Sequence, residues 1–383
     1  TTATLTILDE IAPYWTIDPQ DVTFECNDSI DPLMQIETWL GAQGFGEAAD
    51  SCSVVRYSND FVALTPTCGA TSNAGTALVT FTATDACGNS TARTATVNVV
   101  DMMKPDVTNP ATDMTVECDG TGNITELNTW LNDYAGASWD DSCGDVTPND
   151  PVLLTTIEGC GLTNEMRYAF TATDPCGNVS DTTIGIFIIE DTTPPTIDPD
   201  AMDMTVECDG NGNDVELDTW LDNMALAGAT DACSDEVLIV EWDLVTEEDS
   251  CGITGIQVYR FTFTDNCGNS STTEGTFTIE DTTPPVIMGG ENYSGECDQS
   301  NANNDDELLS WLNNRGGATA DDMCGNIVWS NNYDVANFED GCNDSRNIDV
   351  TFTATDECSN FSEITLNFST GDSTPPVFTN CPR

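Results

Sequence analysis

The residues of this chain that could do chemistry are thiols and carboxylates. Of 383 residues, 17 are Cys and 67 are Asp or Glu, against 8 Lys or Arg and no His. Without His there is no Ser-His-Asp or Cys-His arrangement and no imidazole to hold zinc, so the chain does not read as an enzyme. Two chemistries remain: disulfide bonds in an oxidising, extracytoplasmic compartment, and oxygen coordination of hard cations. A formal net charge of −59 repels nucleic acid and anionic membranes, which are polyanions, and draws counter-ions instead. No apolar run reaches the length of a membrane span.

The thiols are periodic. Cys26, Cys118, Cys208 and Cys297 are separated by 92, 90 and 89 residues, and Trp39, Trp130, Trp220 and Trp311 by 91, 90 and 91. Cys52/Cys143/Cys233/Cys324, Cys68/Cys160/Cys251/Cys342 and Cys87/Cys176/Cys267/Cys358 keep nearly the same step, which leaves Cys381 over. Such a period marks a tandem array. Repeats meet at "EDTTPP" (190–195, 280–285) and "GDSTPP" (371–376), with a diverged "VDMMKP" at 100–105. Proline pairs lack N–H groups and cannot extend a sheet, so each junction ends a domain. The expected domains are repeat 1 over 13–104, repeat 2 over 105–194, repeat 3 over 195–285 and repeat 4 over 286–376. Residues 1–12 match the end of a repeat and 377–383 the start of a fifth, as in a window cut from a longer protein. Leu5 and Ile7 would then form an orphan strand's apolar stripe, to be covered by a preceding repeat or by another copy.

The elements that position the thiols follow from periodicity. "FTATDACGNS" at 81–90 returns at 170–179, 261–270 and 352–361 in close variants. Its alternation buries Phe81, Phe170, Phe261 and Phe352 and turns the threonines to water. In the "D-x-C-G-N" turn after it, the Asp bonds backbone N–H groups two residues on. Ser359 replaces the turn glycine in repeat 4 and is expected to loosen it. Between the first and second cysteines, Leu217, Trp220 and Leu221 stand at i, i+3 and i+4, as do Leu127, Trp130, Leu131 and Leu308, Trp311, Leu312. A short amphipathic helix should lay them onto the sheet and end at a glycine-containing segment. The fold class expected is all-β: a tandem array of immunoglobulin-like β-sandwiches, each with one short inserted α-helix and two disulfides. Tracing one repeat puts first and third cysteines at one end and second and fourth at the other. A strand of about eight residues spans roughly 26 Å, so a bridge across it is excluded. Pairing within each repeat follows: Cys26–Cys68 and Cys52–Cys87, then Cys118–Cys160 and Cys143–Cys176, Cys208–Cys251 and Cys233–Cys267, Cys297–Cys342 and Cys324–Cys358.

The combination "TPP", "TVECD", "LxxWL", "FTATDxCGN" and "DTTPP" resembles the hyalin-type, immunoglobulin-like repeats of very large Bacteroidota surface proteins exported by the type IX system. The resemblance covers essentially the whole chain. It implies a cell-surface adhesive or filamentous role in gliding or prey capture, and self-association with other repeats or copies or contact with surface or cell-envelope glycans. Neither an adhesive tip nor a C-terminal sorting domain is visible in the sequence, and 100–105 has lost the "TTPP" pattern. Three readings follow: the stalk of a giant extracellular adhesin, a subunit of an assembled filament or hook, and a carbohydrate-binding array of a secreted enzyme.

The carboxylates that could hold a structural calcium ion sit at the repeat ends. Glu117 and Asp119 with Glu190 and Asp191, Glu207 and Asp209 with Glu280 and Asp281, and Glu296 and Asp298 with Asp372 should converge on the junctions. The alternative is solvated acidic surface. At the opposite end, Asp50, Asp141, Asp231 and Asp322 approach the turn residues Asp85, Asp174, Asp265 and Asp356, where Asx-turns account for them. Asn89, Asn178, Asn269 and Asn360 head "N-x-S/T" triplets and read as structural turn residues. "DSI" (28–30) and "DTT" (191–193, 281–283) fit a loose O-glycosylation pattern.

Overall fold

In a computed structural model of the chain, residues 3, 7–26, 30–234, 238–296, 301–335, 339–340 and 345–375 are described. The chain divides into two compact units, Thr1–Thr192 and Thr193–Arg383. Each unit holds two of the sequence repeats, and each repeat has the same plan.

In the first unit, repeat 1 orders its main sheet Val22–Glu25, Ser90–Val100, Gly75–Thr84, Arg56–Asn59. The first two of these strands run parallel, with Val22 opposite Val97 and Glu25 opposite Val100. The long central strands run antiparallel, from Gly75 opposite Val99 to Thr84 opposite Ser90. Repeat 2 repeats this order with Met114–Glu117, Thr183–Glu190, Asn164–Phe170 and Val152–Glu158. In the second unit, repeat 3 uses Met204–Glu207, Ser270–Glu280, Gly255–Thr264 and Ile239–Asp249, and repeat 4 uses Tyr293–Glu296, Phe361–Gly371, Arg346–Thr355 and Val328–Asn331. The second layer is a two-stranded ribbon, such as Thr196–Ile197 with Ala229–Thr230, joined by a helix. The immunoglobulin-like sandwich and its inserted helix are therefore as expected.

The helices are α1 (Pro32–Gly41), α2 (Ile124–Asn132), α3 (Asp214–Asp222) and α4 (Asn301–Asn313). Asp31 caps α1 by accepting from the Leu33 N–H at 2.8 Å, and Pro32 occupies its first turn. Each helix sets its Trp edge-on against the strand Phe, with ring centroids 5.1 Å apart for Trp39–Phe81, 5.5 Å for Trp130–Phe170, 5.6 Å for Trp220–Phe261 and 5.3 Å for Trp311–Phe352. All eight rings are buried. Burying an indole N–H requires an acceptor, and all four repeats supply the same one. The carbonyls of Gln20, Thr112, Met202 and Glu291 accept the Trp39, Trp130, Trp220 and Trp311 N–H groups at 3.0, 3.0, 2.9 and 3.2 Å. The backbone N–H of each acceptor residue in turn donates to Gly44, Ala135, Ala225 or Gly316, in the kinked turn after the helix. That kink takes left-handed backbone, with φ of 57° at Ala135 and 51° at Ala225. An alanine thus takes the strained position in repeats 2 and 3, at the glycine-containing segment expected to end the helix.

Residues 7–13 have no regular secondary structure, and of residues 1–6 only Ala3 is described, so Leu5 lies outside the described residues.

Candidate functional site

The chemistry of this chain gathers where one repeat meets the next inside each unit. Of the pairs expected within repeats, Cys26–Cys68, Cys143–Cys176, Cys208–Cys251 and Cys324–Cys358 do not form, nor does Cys52–Cys87. Cys26 bonds Cys143 and Cys68 bonds Cys176 in the first unit, with Cα separations of 5.7 and 4.7 Å. Cys208 bonds Cys324 and Cys251 bonds Cys358 in the second, at 6.1 and 5.1 Å. First and third cysteines do share one end of a repeat, and second and fourth the other. They face outward, however, and the short linker brings the next repeat's opposite end against them. Cys118, Cys160, Cys233 and Cys267 are disulfide-bonded as well. Cys52 and Cys87 carry free, exposed thiols, whereas Cys297, Cys342 and Cys381 lie outside the described residues.

Backbone contacts close each joint around its bridges. The Asn73 N–H donates to the Cys143 carbonyl at 2.7 Å and its side-chain amide to the Ser142 carbonyl at 3.2 Å. In the second unit, the Ile253 N–H donates to the Cys324 carbonyl at 3.1 Å. Gly252, with φ of +62°, passes so close that an added Cβ would stand 2.0 Å from the Cys324 carbonyl oxygen, so only glycine fits.

The turn after the central strand supplies a second tie. Asp174 accepts the Asn178 backbone N–H at 2.9 Å and its side-chain amide at 2.8 Å. The same amide reaches the Asp101 carbonyl of the linker at 3.3 Å. Asp356 and Asn360 repeat this, with the Asn360 amide 2.9 Å from the Asp281 carbonyl. The "N-x-S/T" asparagines described here are thus turn residues, as expected, and they also pin the linker, which sequence reasoning missed. The turn with Ser359 keeps these bonds by placing the serine at φ 75°.

The predicted calcium ligands separate into three groups. Glu117, Glu207 and Glu296 act as clamps on the linker that follows their own repeat. Glu207 accepts from the Thr282 N–H at 2.8 Å, the Thr282 hydroxyl at 2.9 Å and the Thr283 hydroxyl at 2.7 Å. Glu117 takes the Thr192 N–H and hydroxyl at 2.8 Å each, and Glu296 the Ser373 N–H and hydroxyl at 2.7 and 2.6 Å. The Thr283 hydroxyl, followed by the Thr282 N–H, holds the Glu207 carboxyl below its usual range, and the Ser373 hydroxyl and N–H do the same for Glu296. Asp119, Asp209 and Asp372 are occupied by their own loops. Asp209 accepts the Asn211 and Asn213 N–H groups at 2.7 and 3.1 Å, and these bonds lower its pKa. Asp119 does likewise with Thr121 and Asn123, and Asp372 accepts from the Thr374 N–H and hydroxyl. Glu190 and Glu280 end their strands exposed, Asp191 is buried, and Asp298 lies outside the described residues.

Asp281 of the expected set joins a described acidic cluster, and its companions come from the opposite end of the next repeat. Carboxylate oxygens of Asp281 and Asp322 lie within 4.8 Å of each other beside Cys324. Burial, then the charges of Asp322, Asp356 and Glu207, push Asp281 above the usual carboxylate range, against the pull of the Thr283 N–H. The first unit has the counterpart: Asp101, Asp141 and Asp174 lie within the same 4.8 Å limit. Asp101 is 8% exposed and neither of its oxygens makes a well-formed hydrogen bond. Burial, followed by Asp174 and Asp141, pushes its pKa up to about 6. Burial also raises Asp141. The "D-x-C" and turn aspartates that read as Asx-turns do make those bonds, and in addition face a linker carboxylate. Three acids, one of them a buried and poorly bonded carboxylate, form a donor set suited to a hard divalent cation.

No family model matches the chain, and no curated protein matches it. Solved structures similar to it include extracellular cadherin domains 3–6 of protocadherin gamma B2, at 10% identity, covering 94% of this chain and 100% of that one with a TM-score of 0.34. Cadherin domains 1–4 of Drosophila N-cadherin match at 10% identity over 78% of this chain and 84% of that one, with a TM-score of 0.23. The human desmocollin-1 ectodomain matches at 10% identity over 78% and 67%, also with a TM-score of 0.23.

Proposed function

We propose that this chain is part of the stalk of an extracellular adhesin, built so that adjacent repeats are covalently joined. The observation that carries this reading is the disulfide pattern, with two bridges running from repeat to repeat in each unit. Within-repeat bridges would only stabilise domains, whereas these hold neighbours together under load. Bridges of this number belong to an oxidising compartment, and the resemblance to hyalin-type repeats favours a bacterial cell surface supplied by type IX export. The reading is non-catalytic, because every described cysteine except Cys52 and Cys87 is disulfide-bonded and the chain has no histidine. A carbohydrate-binding array is disfavoured, since Trp39, Trp130, Trp220 and Trp311, which could have formed a sugar platform, are buried in the cores.

Calcium belongs to this proposal in a revised place. Asp101, Asp141 and Asp174, and in the second unit Asp281, Asp322 and Asp356, would hold it, and it would neutralise acids packed at the joint. Single-molecule stretching of the intact chain tests the stalk. Oxidised chain should release little length, and reductant should restore extension of the segments closed by the bridges. Identical traces with and without reductant would count against it. Antibody against the repeats should label intact cells and block attachment, and labelling without blocking would count against adhesion.

A further inference from the structure

Wherever the second and fourth cysteines of a repeat are described outside repeat 1, they are bonded: Cys143 and Cys176, Cys233 and Cys267, Cys324 and Cys358. Repeat 1 presents the same pair as exposed free thiols, Cys52 and Cys87. Their surroundings are those of a closed joint. Asp50 accepts the Cys52 N–H at 2.8 Å, as Asp141 does from Cys143 at 2.7 Å and Asp322 from Cys324 at 2.8 Å. The Asn89 amide donates to the Asp9 carbonyl at 2.9 Å, as Asn178 and Asn360 donate to the linker residues Asp101 and Asp281. Asp9 and Asp50 lie within 4.8 Å of the Cys52 sulfur, and Asp9 Oδ2 is buried without a partner, as are oxygens of Asp101 and Asp281. A linker segment is therefore already seated on this end, and what separates it from a finished joint is the two sulfur partners.

We infer that Cys52 and Cys87 are the receiving half of another joint, closed by the first and third cysteines of a further repeat of this type. By position, Cys52 takes the first cysteine and Cys87 the third. Each bridge forms one S–S bond between two thiols, which together lose two protons and two electrons. A small disulfide compound accepts them by thiol–disulfide exchange and leaves as two thiols. The incoming pair has two sources of the same chemistry: a preceding repeat in a longer chain, or the other end of a second copy, where Cys297 and Cys342 hold the first and third positions. The inference rests on the joint's geometry and stands whether or not the assembled protein is adhesive.

The test is non-reducing peptide mapping with alkylation of free thiols, run on the chain incubated with a mixture of oxidised and reduced glutathione and on the protein isolated from its source. Cys52–Cys297 and Cys87–Cys342 peptides, with a ladder of multimers lost in the C52S/C87S variant, would establish joining between copies. Bonds from Cys52 and Cys87 to a preceding repeat in the isolated protein would establish the joint within one chain. Alkylation of both thiols in both samples would overturn the inference, as would a Cys52–Cys87 bond or capping by glutathione alone. Because the C52S/C87S variant removes no existing bridge, its Trp fluorescence and melting should match the parent chain.

Discussion

The joint between repeats 1 and 2 and the joint between repeats 3 and 4 share their bridges and their asparagine tie, but they treat their acids differently. In the second unit, Thr282 and Thr283 give Glu207 three donors, and Asp281 accepts the Thr283 N–H at 3.2 Å. In the first unit the diverged linker puts Met102 where Thr282 stands. Glu25 accepts only the Met102 N–H, at 2.9 Å, and its Oε2 is buried without a partner. Asp101 is left poorly bonded as well, and Lys104 compensates only at the surface, by pairing with Asp181 where both side chains are about half exposed or more. An exposed pair of that kind contributes little. The contrast teaches that the threonines after the linker Asp satisfy a glutamate, and that losing them leaves both that glutamate and the linker Asp with fewer donors.

The largest effect should come from opening the bridges. Replacing Cys208 and Cys251 with Ala should cost roughly 2–4 kcal/mol per bridge. It should lower the melting temperature of the second unit and uncouple its repeats in hydrogen exchange, and if both repeats still melt together the bridges are not the coupling element.

Next comes pH in calcium-free buffer. The folded pKa of Asp101 lies above its ordinary value, so its contribution is fully present below that ordinary value and is lost as pH rises through about 6. The first unit should therefore weaken between about pH 4 and pH 7. Asp101→Asn should flatten this slope and raise stability at neutral pH, and thermal melts across pH read it directly. Asp281 is shifted in the same direction, and its joint should share the trend. Calcium should bind with proton release below neutral pH at the first joint, which calorimetry in two buffers of different ionisation enthalpy would detect.

A smaller effect should follow from exchanging the clamps. Met102→Thr should gain about 1 kcal/mol by giving Glu25 Oε2 a hydroxyl, and Thr282→Val should lower stability by taking one from Glu207. Equal stability for both variants and the parent would remove the clamp as the difference between the joints. Smallest of all, Ser359→Gly should gain up to about 1 kcal/mol by relieving a left-handed serine, measured as a shift in denaturation midpoint.

Much of the repeat was legible in the sequence because burial imposes periodicity. Trp220 with its leucines at helical spacing, and Phe261 alternating with threonines, could satisfy the core in one way only. The ends to which the cysteines belong were legible for the same reason. Their partners were not, because a bridge to the next repeat and a bridge within a repeat leave the same period. The carboxylates were misread in a similar way. Glu207 looks like a ligand until the hydroxyls of Thr282 and Thr283 are placed against it, and Asp322 and Asp356 looked remote because they come from the far end of the next repeat. The one visible signal was the coincidence of a threonine-rich linker with a preceding "V-E-C", broken together with Met102 at 100–105.

The interleaved order of the bridges has a consequence for proteolysis. Cys26 reaches forward to Cys143, and Cys68 reaches past it to Cys176, so the two closed segments overlap. A single cut anywhere from residue 26 to 176 leaves two fragments that a bridge still holds. The same is true from Cys208 to Cys358. Loops in these regions can be nicked by extracellular proteases without severing the unit, and the damage would show on a gel only after reduction.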